Sequence, residues 1–268
     1  MKEVAHAKLN LALHVRGREA DGYHRIETLF AFCAAGDELE VAPSETVRLE
    51  IGGPFADQLD SGSSNLVLRA ADALAARFRV EKGAALRLHK SLPVASGIGG
   101  GSADAAATLR LLDRFWKIGA EERELLAIAA GLGADVPACL GSRTTRGEGR
   151  GDQLVDEPGG DLAGTPVLLV NPGVGVSTAA VFRRWDGVDR GPLQNWREGR
   201  NDLQASALEL APVVNDVLEA LKGAEIARMS GSGATCFGLY RSPDQRDAAA
   251  GEIRRRHPAW WCLATRLL

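Results

Sequence analysis

LPVASGIGGGSAD, residues 92–104, decides how this chain is read. Gly97, Gly99, Gly100 and Gly101 lie between AALRLHKS, a period-two strand pattern, and ADAAATLRLLDRFW, a strong helix pattern. Glycine backbone adopts conformations closed to other residues and comes close to a ligand. A helix opening near Ser102 aims unpaired N–H groups and the positive end of its dipole at whatever the loop encloses. Phosphate is the natural occupant. One or two glycines suffice for a plain strand–helix turn, so four of them favour the phosphate reading. The P-loop is excluded because Ser102 precedes Ala103 with no Gly-Lys pair, and the dinucleotide fingerprint because its sixth position, counted from Gly97, is Ser102.

Upstream, Leu9, Leu11, Leu13 and Val15 alternate with Asn10, Ala12 and His14, as in a half-buried strand. HRIETLFAFC reads as a second strand, with ELEV and VRLEI following after turn signals. NLVLRAADALAARF carries Leu66, Ala70, Leu74 and Phe78 at helical spacing, with Ser64 or Asn65 as N-cap. Downstream, EERELLAIAAG predicts a helix stopped by Gly131, and RTTRGEGRGDQ is glycine- and charge-rich. EPGGDLAGTP reads as a linker, so the domain boundary is expected near 156–165, giving domains 1–156 and 165–268. The second half runs strand TPVLLV, helix STAAVFRRW capped by Ser177, a helical region broken at Pro212, strands AEIARM and ATCFGLY, helix DQRDAAAGEIRRR and strand AWWCLATRLL. That β-α-β-β-α-β succession is a split βαβ, ferredoxin-like unit.

Composition narrows the class. A net charge of −3 and a pI near 6.0 argue against a nucleic-acid partner. The basic run at 254–256 lies in a helical pattern and reads as a solvated face. Cys33, Cys139, Cys236 and Cys262 lie far apart without CxxC spacing, which fits reduced, mostly buried thiols and neither a disulfide scaffold nor a zinc site. KEVAHAKLNLALHV carries Lys2, His6 and Lys8 in an alternating pattern, so neither a signal peptide nor a membrane span is expected. The expectation is a cytoplasmic enzyme with a small-molecule substrate, no nucleic acid, no membrane, and a monomeric or weakly homodimeric state. No acidic cluster marks a metal site.

PVASGIGGGSADAA resembles the ATP-binding motif of the GHMP kinases, and AKLNLALHV, ADGYHRIETLF, GADVPACLGSRTTRGEGRG and MSGSGATCFGLY extend the likeness in order from Ala7 to Tyr240. The last four segments resemble the branch of that family that phosphorylates a cytidine-linked sugar alcohol, diphosphocytidyl-methylerythritol, in the non-mevalonate isoprenoid route. The resemblance implies an α+β, two-domain GHMP kinase fold, with a ribosomal S5 domain 2-like N-terminal domain and a ferredoxin-like C-terminal domain. It implies ATP with Mg2+, the nucleotide lying over Pro93, Val94, Ala95, Ser96, Gly97, Ile98, Gly99, Gly100, Gly101, Ser102, Ala103 and Asp104. Ser102 is a candidate for phosphate or metal contact, and Asp104 for a favourable cap in the first helical turn.

Taken alone, GADVP reads as a turn aspartate or cap, and Lys8 as an edge-strand lysine that discourages aggregation. The resemblance instead implies that Asp135 is the general base and Lys8 its electrostatic partner. Asn10, on the same strand face as Lys8, matches a substrate contact, as does Thr178. Tyr23 and Phe182 would sandwich the cytosine ring while His24 bonds its polar edge; by pattern alone, Asp21-Gly22 is a β-turn before an amphipathic strand and Phe182 a helix core residue. Gly231-Ser232-Gly233 reads as a tight hairpin, and by resemblance as a second glycine loop walling the site. The alternatives are a GHMP kinase for homoserine or mevalonate, and a non-catalytic nucleotide- or RNA-binding protein of the same fold.

Overall fold

The computed structural model describes residues 1–157 and 162–268; four residues of the expected linker, 158–161, lie outside the described residues. Compactness divides the chain into two units. The first comprises Met1–Ala7, Ala35–Val94 and Gly99–Ser142, and the second Lys8–Ala34, Ala95–Ile98 and Arg143–Leu268. Two long strands, β1 (Lys2–Arg18) and β2 (His24–Ala42), contribute residues to both.

In the first unit, β3 (Val47–Gly52) pairs parallel with β4 (Ala84–His89), and β4 pairs antiparallel with the end of β2, Leu39 opposite Leu88. A parallel neighbour requires a crossover, and α1 (Leu66–Phe78) supplies it. Asn65 caps that helix by accepting the Val67 N–H at 2.9 Å, a contact worth about 1 kcal/mol. Helix α2 (Gly100–Trp116) follows the glycine stretch and buries Ala103, Ala105, Ala106, Ala107, Leu109, Leu111 and Leu112. Its small residues let α1 pack closely. Helices α3 (Glu122–Leu132) and α4 (Val136–Gly141) complete the unit, both packed on α2.

In the second unit, β5 (Thr145–Glu148) pairs with β2 and with β6 (Gln153–Asp156). Beside these runs a four-stranded antiparallel sheet of β7 (Pro166–Asn171), β8 (Ile226–Met229), β9 (Cys236–Leu239) and β10 (Trp261–Arg266) in the order β10-β7-β9-β8. That is the split βαβ order expected from the sequence. Helices α5 (Thr178–Arg183), α6 (Gln204–Leu210), α7 (Val213–Ala220) and α8 (Pro243–Arg256) complete it, and Pro212 separates α6 from α7. Every residue of β7 is buried, and Leu168 and Val170 join Val181, Val214, Val217, Cys236 and Ile253 in one core.

Four expectations need correction. ELEV is no separate strand: β2 runs unbroken through Gly36-Asp37. Gly36 is there because a Cβ would come within 1.9 Å of the Ala5 carbonyl oxygen, so it marks a close approach of backbone and no turn. Helix α3 runs past Gly131 to Leu132, with Gly133 as C-cap. RTTRGEGRGDQ, to which the sequence pattern assigns no element, contains most of the β5–β6 hairpin. The first strand is not half-buried, since Asn10 and His14 are as enclosed as the leucines between them. The four cysteines are free, three of them buried, and residues 254–256 are exposed as expected. Among the described residues no helix is long and apolar enough to cross a membrane.

Candidate active site

Three of the segments singled out in the sequence meet inside the second unit: AKLNL on β1, the glycine stretch at Ala95–Ile98, and the loop between β8 and β9. The Lys8 N–H donates to the Ile98 carbonyl at 3.0 Å, and the Thr235 N–H to Ser96 at 3.1 Å. Ser230 is the hub. Its hydroxyl accepts the Asn10 N–H at 3.1 Å and donates to the Gly97 carbonyl at 3.0 Å. Gly97 has φ +80, and a Cβ on it would lie 2.4 Å from the Ser230 carbonyl oxygen, so only glycine fits. Asn201 holds the loop from the other side, its Nδ2 donating to the Met229 and Gly231 carbonyls at 2.8 Å each.

Lys8 is 3% exposed, which removes the edge-strand reading. Its ammonium donates to Asn10 Oδ1 at 3.1 Å and stands 4.4 Å from the centre of the Phe30 ring. Asn10 Nδ2 then donates to Thr28 Oγ1 at 2.8 Å, and Thr28 to the Ala12 carbonyl at 2.7 Å. A relay of this kind fixes the amide orientation and the lysine stem. Lys8 and Asn10 do share a face, as the strand period requires.

The first unit holds the remainder of the glycine stretch. Gly99, at φ +64, precedes the first residue of α2, whose opening N–H groups have no carbonyl partner within the helix. Helix α2 starts two residues before the expected Ser102, which is half-buried in its first turn. Pro93 and Ala103 are buried and Val94 half-buried. Asp104 does not cap the helix. It is 3% exposed and takes the Lys90 ammonium at 2.6 Å, while Lys90 also donates to Asp37 at 2.5 Å. Burial, opposed by Lys90 and reinforced by Asp37, pushes the Asp104 carboxyl up to about 7. For Lys90, burial acts downward, but the two carboxylates, Asp104 ahead of Asp37, outweigh it and hold the ammonium above its ordinary range. Asp135 also belongs to the first unit, half-buried at the N-cap of α4. Its side chain makes no capping hydrogen bond, so the simple cap reading fails.

The base-binding candidates Tyr23, His24 and Phe182 all belong to the second unit. His24 packs on Phe182 with ring centres 4.9 Å apart and meets Trp185 edge-on at 5.6 Å. Burial, with a contribution from Arg18, lowers the His24 pKa, so the ring is neutral at pH 7 and offers one donor and one acceptor. Tyr23 is 59% exposed, with the Arg150 guanidinium 4.0 Å over its ring. Arg150 is in turn held by Asp21 and Glu19. Phe182 is half-buried on α5, packed both against the core of the second unit and against the His24 ring. Thr178 Oγ1 and Ser232 Oγ are 2.8 Å apart, joining the start of α5 to the second glycine loop.

Sequence reasoning passed over Ser230, Thr28, Asn201, Trp185, Arg150 and the Asp37–Lys90 pair. Only the last pair left a signal, a lysine directly after an apolar strand and an aspartate inside one. Among the described residues no group of three or more His, Cys, Asp and Glu is placed to hold a metal. Magnesium does not require a group of three, because it is commonly held by one or two carboxylates together with phosphate oxygens and water.

Comparison with known proteins agrees with this geometry. The GHMP kinases N-terminal domain matches residues 65–143 and the GHMP kinases C-terminal domain residues 181–259, on either side of the expected linker. The chain is 52% identical to the 4-diphosphocytidyl-2-C-methyl-D-erythritol kinase of Rhizorhabdus wittichii, over 99% of this chain and 94% of that protein. It is 49% identical to the enzyme of the same name from Sphingopyxis alaskensis, covering 98% and 97%. A crystal structure of 4-(cytidine 5'-diphospho)-2C-methyl-D-erythritol kinase superposes with a TM-score of 0.85 at 33% identity, covering 100% of this chain and 99% of that one.

Proposed function

This chain belongs to the 4-diphosphocytidyl-2-C-methyl-D-erythritol kinase family of the GHMP kinases, and on that premise we propose how its residues carry out the reaction. The protein is an ATP-using kinase with the two-domain α+β fold of that family. Its substrate is 4-diphosphocytidyl-2-C-methyl-D-erythritol, phosphorylated on the 2-hydroxyl in isoprenoid precursor synthesis. Residues 1–156 carry the nucleotide and the reacting groups, and residues 165–268 complete the site; the protein acts in the cytoplasm as a monomer or weak homodimer.

Phosphoryl transfer asks a protein mainly to position groups and to stabilise spread negative charge. The triphosphate lies over residues 93–104, received by the glycine backbone and the N–H groups that open α2. Asp135 takes the proton of the 2-hydroxyl as its oxygen bonds the γ-phosphorus and the bond to the β-phosphate oxygen breaks, releasing ADP. Lys8 is its electrostatic partner, supplying positive charge that favours the ionised forms. Asn10 and Thr178 orient the sugar alcohol, and Tyr23, His24 and Phe182 receive the cytosine. Magnesium bound with ATP would neutralise phosphate charge, and Ser102 is the candidate residue to hold it.

The observation that carries the reading is the tie of Lys8 and Asn10 to the glycine stretch through Ile98 and Ser230. That junction sets the strand carrying Lys8 and Asn10 against the glycine stretch, and the buried Lys8 ammonium is held there by Asn10 Oδ1. The presence of both Lys8 and Asp135 in the chain also argues against a non-catalytic nucleotide- or RNA-binding role. Asp135→Asn tests the mechanism. It is expected to keep ATP binding and to lower turnover by about 10²–10⁴-fold, the usual worth of a general base; turnover within threefold of the parent would remove Asp135 from that role.

A further inference from the structure

Lys90 directly follows β4 and is 1% exposed, an unusual station for an ammonium. It joins three parts of the first unit. One carboxylate partner, Asp37, comes from β2, and the other, Asp104, from α2. The second oxygen of Asp37 accepts the N–H groups of Ser91 at 2.6 Å and Leu92 at 2.8 Å, the residues leading into the glycine stretch. On the other side, a Cβ at Gly100 would come 3.0 Å from the Lys90 nitrogen, so the ammonium lies directly under the first residue of α2. The entrance of the phosphate loop and the start of the phosphate-binding helix thus rest on one buried charge.

Stability alone does not account for such a cluster, because apolar packing of similar volume serves a core as well or better. Asp104 Oδ1 is buried without a hydrogen-bond partner, which a cluster tuned only for stability would avoid. What a buried ammonium between two carboxyl groups offers over methyl groups is direction. Each oxygen and N–H fixes the angle as well as the distance of its element.

We propose that Lys90 is a positioning residue for ATP, holding Gly99 and the first turn of α2 in the arrangement that receives the triphosphate. The inference rests on the reading of residues 93–104 as the ATP site. Losing the clamp lets the opening N–H groups of α2 drift, and displacement by about 1 Å is enough to cost up to 10²-fold in a positioned reaction. The effect falls on ATP and spares the cytidine substrate.

Lys90→Met leaves two buried carboxylates facing each other and risks misfolding. The decisive variant is therefore Lys90→Met combined with Asp104→Asn, which retains Asp37 as acceptor for Ser91 and Leu92. Steady-state kinetics with both substrates varied, circular dichroism, and calorimetric titration with a non-hydrolysable ATP analogue are measured on this protein, the parent and Gly99→Val. The expected result is a folded double variant whose KM for ATP and Kd for the analogue rise about tenfold or more, with the KM for the cytidine substrate within twofold. A folded double variant with unchanged ATP parameters, or with both KM values raised equally, overturns the proposal. Gly99→Val separates the two readings. If it raises the analogue Kd while the double variant does not, only the Lys90 inference fails; if neither moves it, the loop reading fails with it.

Discussion

Ser230→Ala removes one oxygen from the point where three segments meet. In the parent that hydroxyl is fully buried, receives the Asn10 N–H and donates to the Gly97 carbonyl. Alanine leaves both groups without that partner. Orphaning a buried polar group costs about 1–3 kcal/mol, so the pair predicts a loss of about 2–6 kcal/mol. Urea unfolding followed by circular dichroism reads that loss as a lower midpoint at unchanged slope. Because Asn10 and Gly97 lose their common anchor, turnover is expected to fall about tenfold as well. A stability change below about 0.5 kcal/mol, within the range of neutral surface substitutions, refutes the reasoning.

Three further outcomes follow from the same structure. Tyr23→Ala is expected to raise the KM for the cytidine substrate severalfold and leave the KM for ATP unchanged; equal shifts in both would remove Tyr23 from base recognition. His24, neutral because its pKa is held below 6.5, becomes charged as the pH falls, and cytidine binding is expected to weaken with it. His24→Gln should flatten that pH profile, and a profile unchanged by the substitution contradicts the role. Asp104, raised from 3.8 to about 7, binds more protons folded than unfolded, so its contribution to stability is full below about pH 4 and is lost as the pH rises towards 7. The Tm difference between Asp104→Asn and the parent is expected to change across that window in the variant's favour; parallel curves would refute the assignment.

Much of the fold was legible because its patterns are local. The second-half order of strands and helices follows from period and caps, and Ser177 accepts the Ala180 N–H as its position suggested. What misled was glycine and charge serving tertiary purposes. Gly36-Asp37 has the composition of a turn, yet Gly36 yields to the Ala5 backbone and Asp37 turns inward to Lys90. Lys8 has the composition of an edge, yet it is buried among Asn10 and Phe30. The site was legible only in part for a related reason. Motifs marked Lys8, Asn10 and the glycines, but Ser230, which binds two of them, is separated from Asn10 by 220 residues and carries no periodic signal. Tyr23 and Phe182 stood out in the sequence as aromatic candidates, while the guanidinium over one and the imidazole against the other arise only from folding.

The central claim is the choice of acceptor alcohol, and turnover with purified protein tests it most directly. ATP is supplied with 4-diphosphocytidyl-2-C-methyl-D-erythritol, homoserine or mevalonate in parallel, ADP release is followed continuously, and the product phosphate is located by phosphorus NMR. The account predicts phosphorylation of the cytidine compound alone, at its 2-hydroxyl. Clear turnover of homoserine or mevalonate with none of the cytidine compound would contradict it.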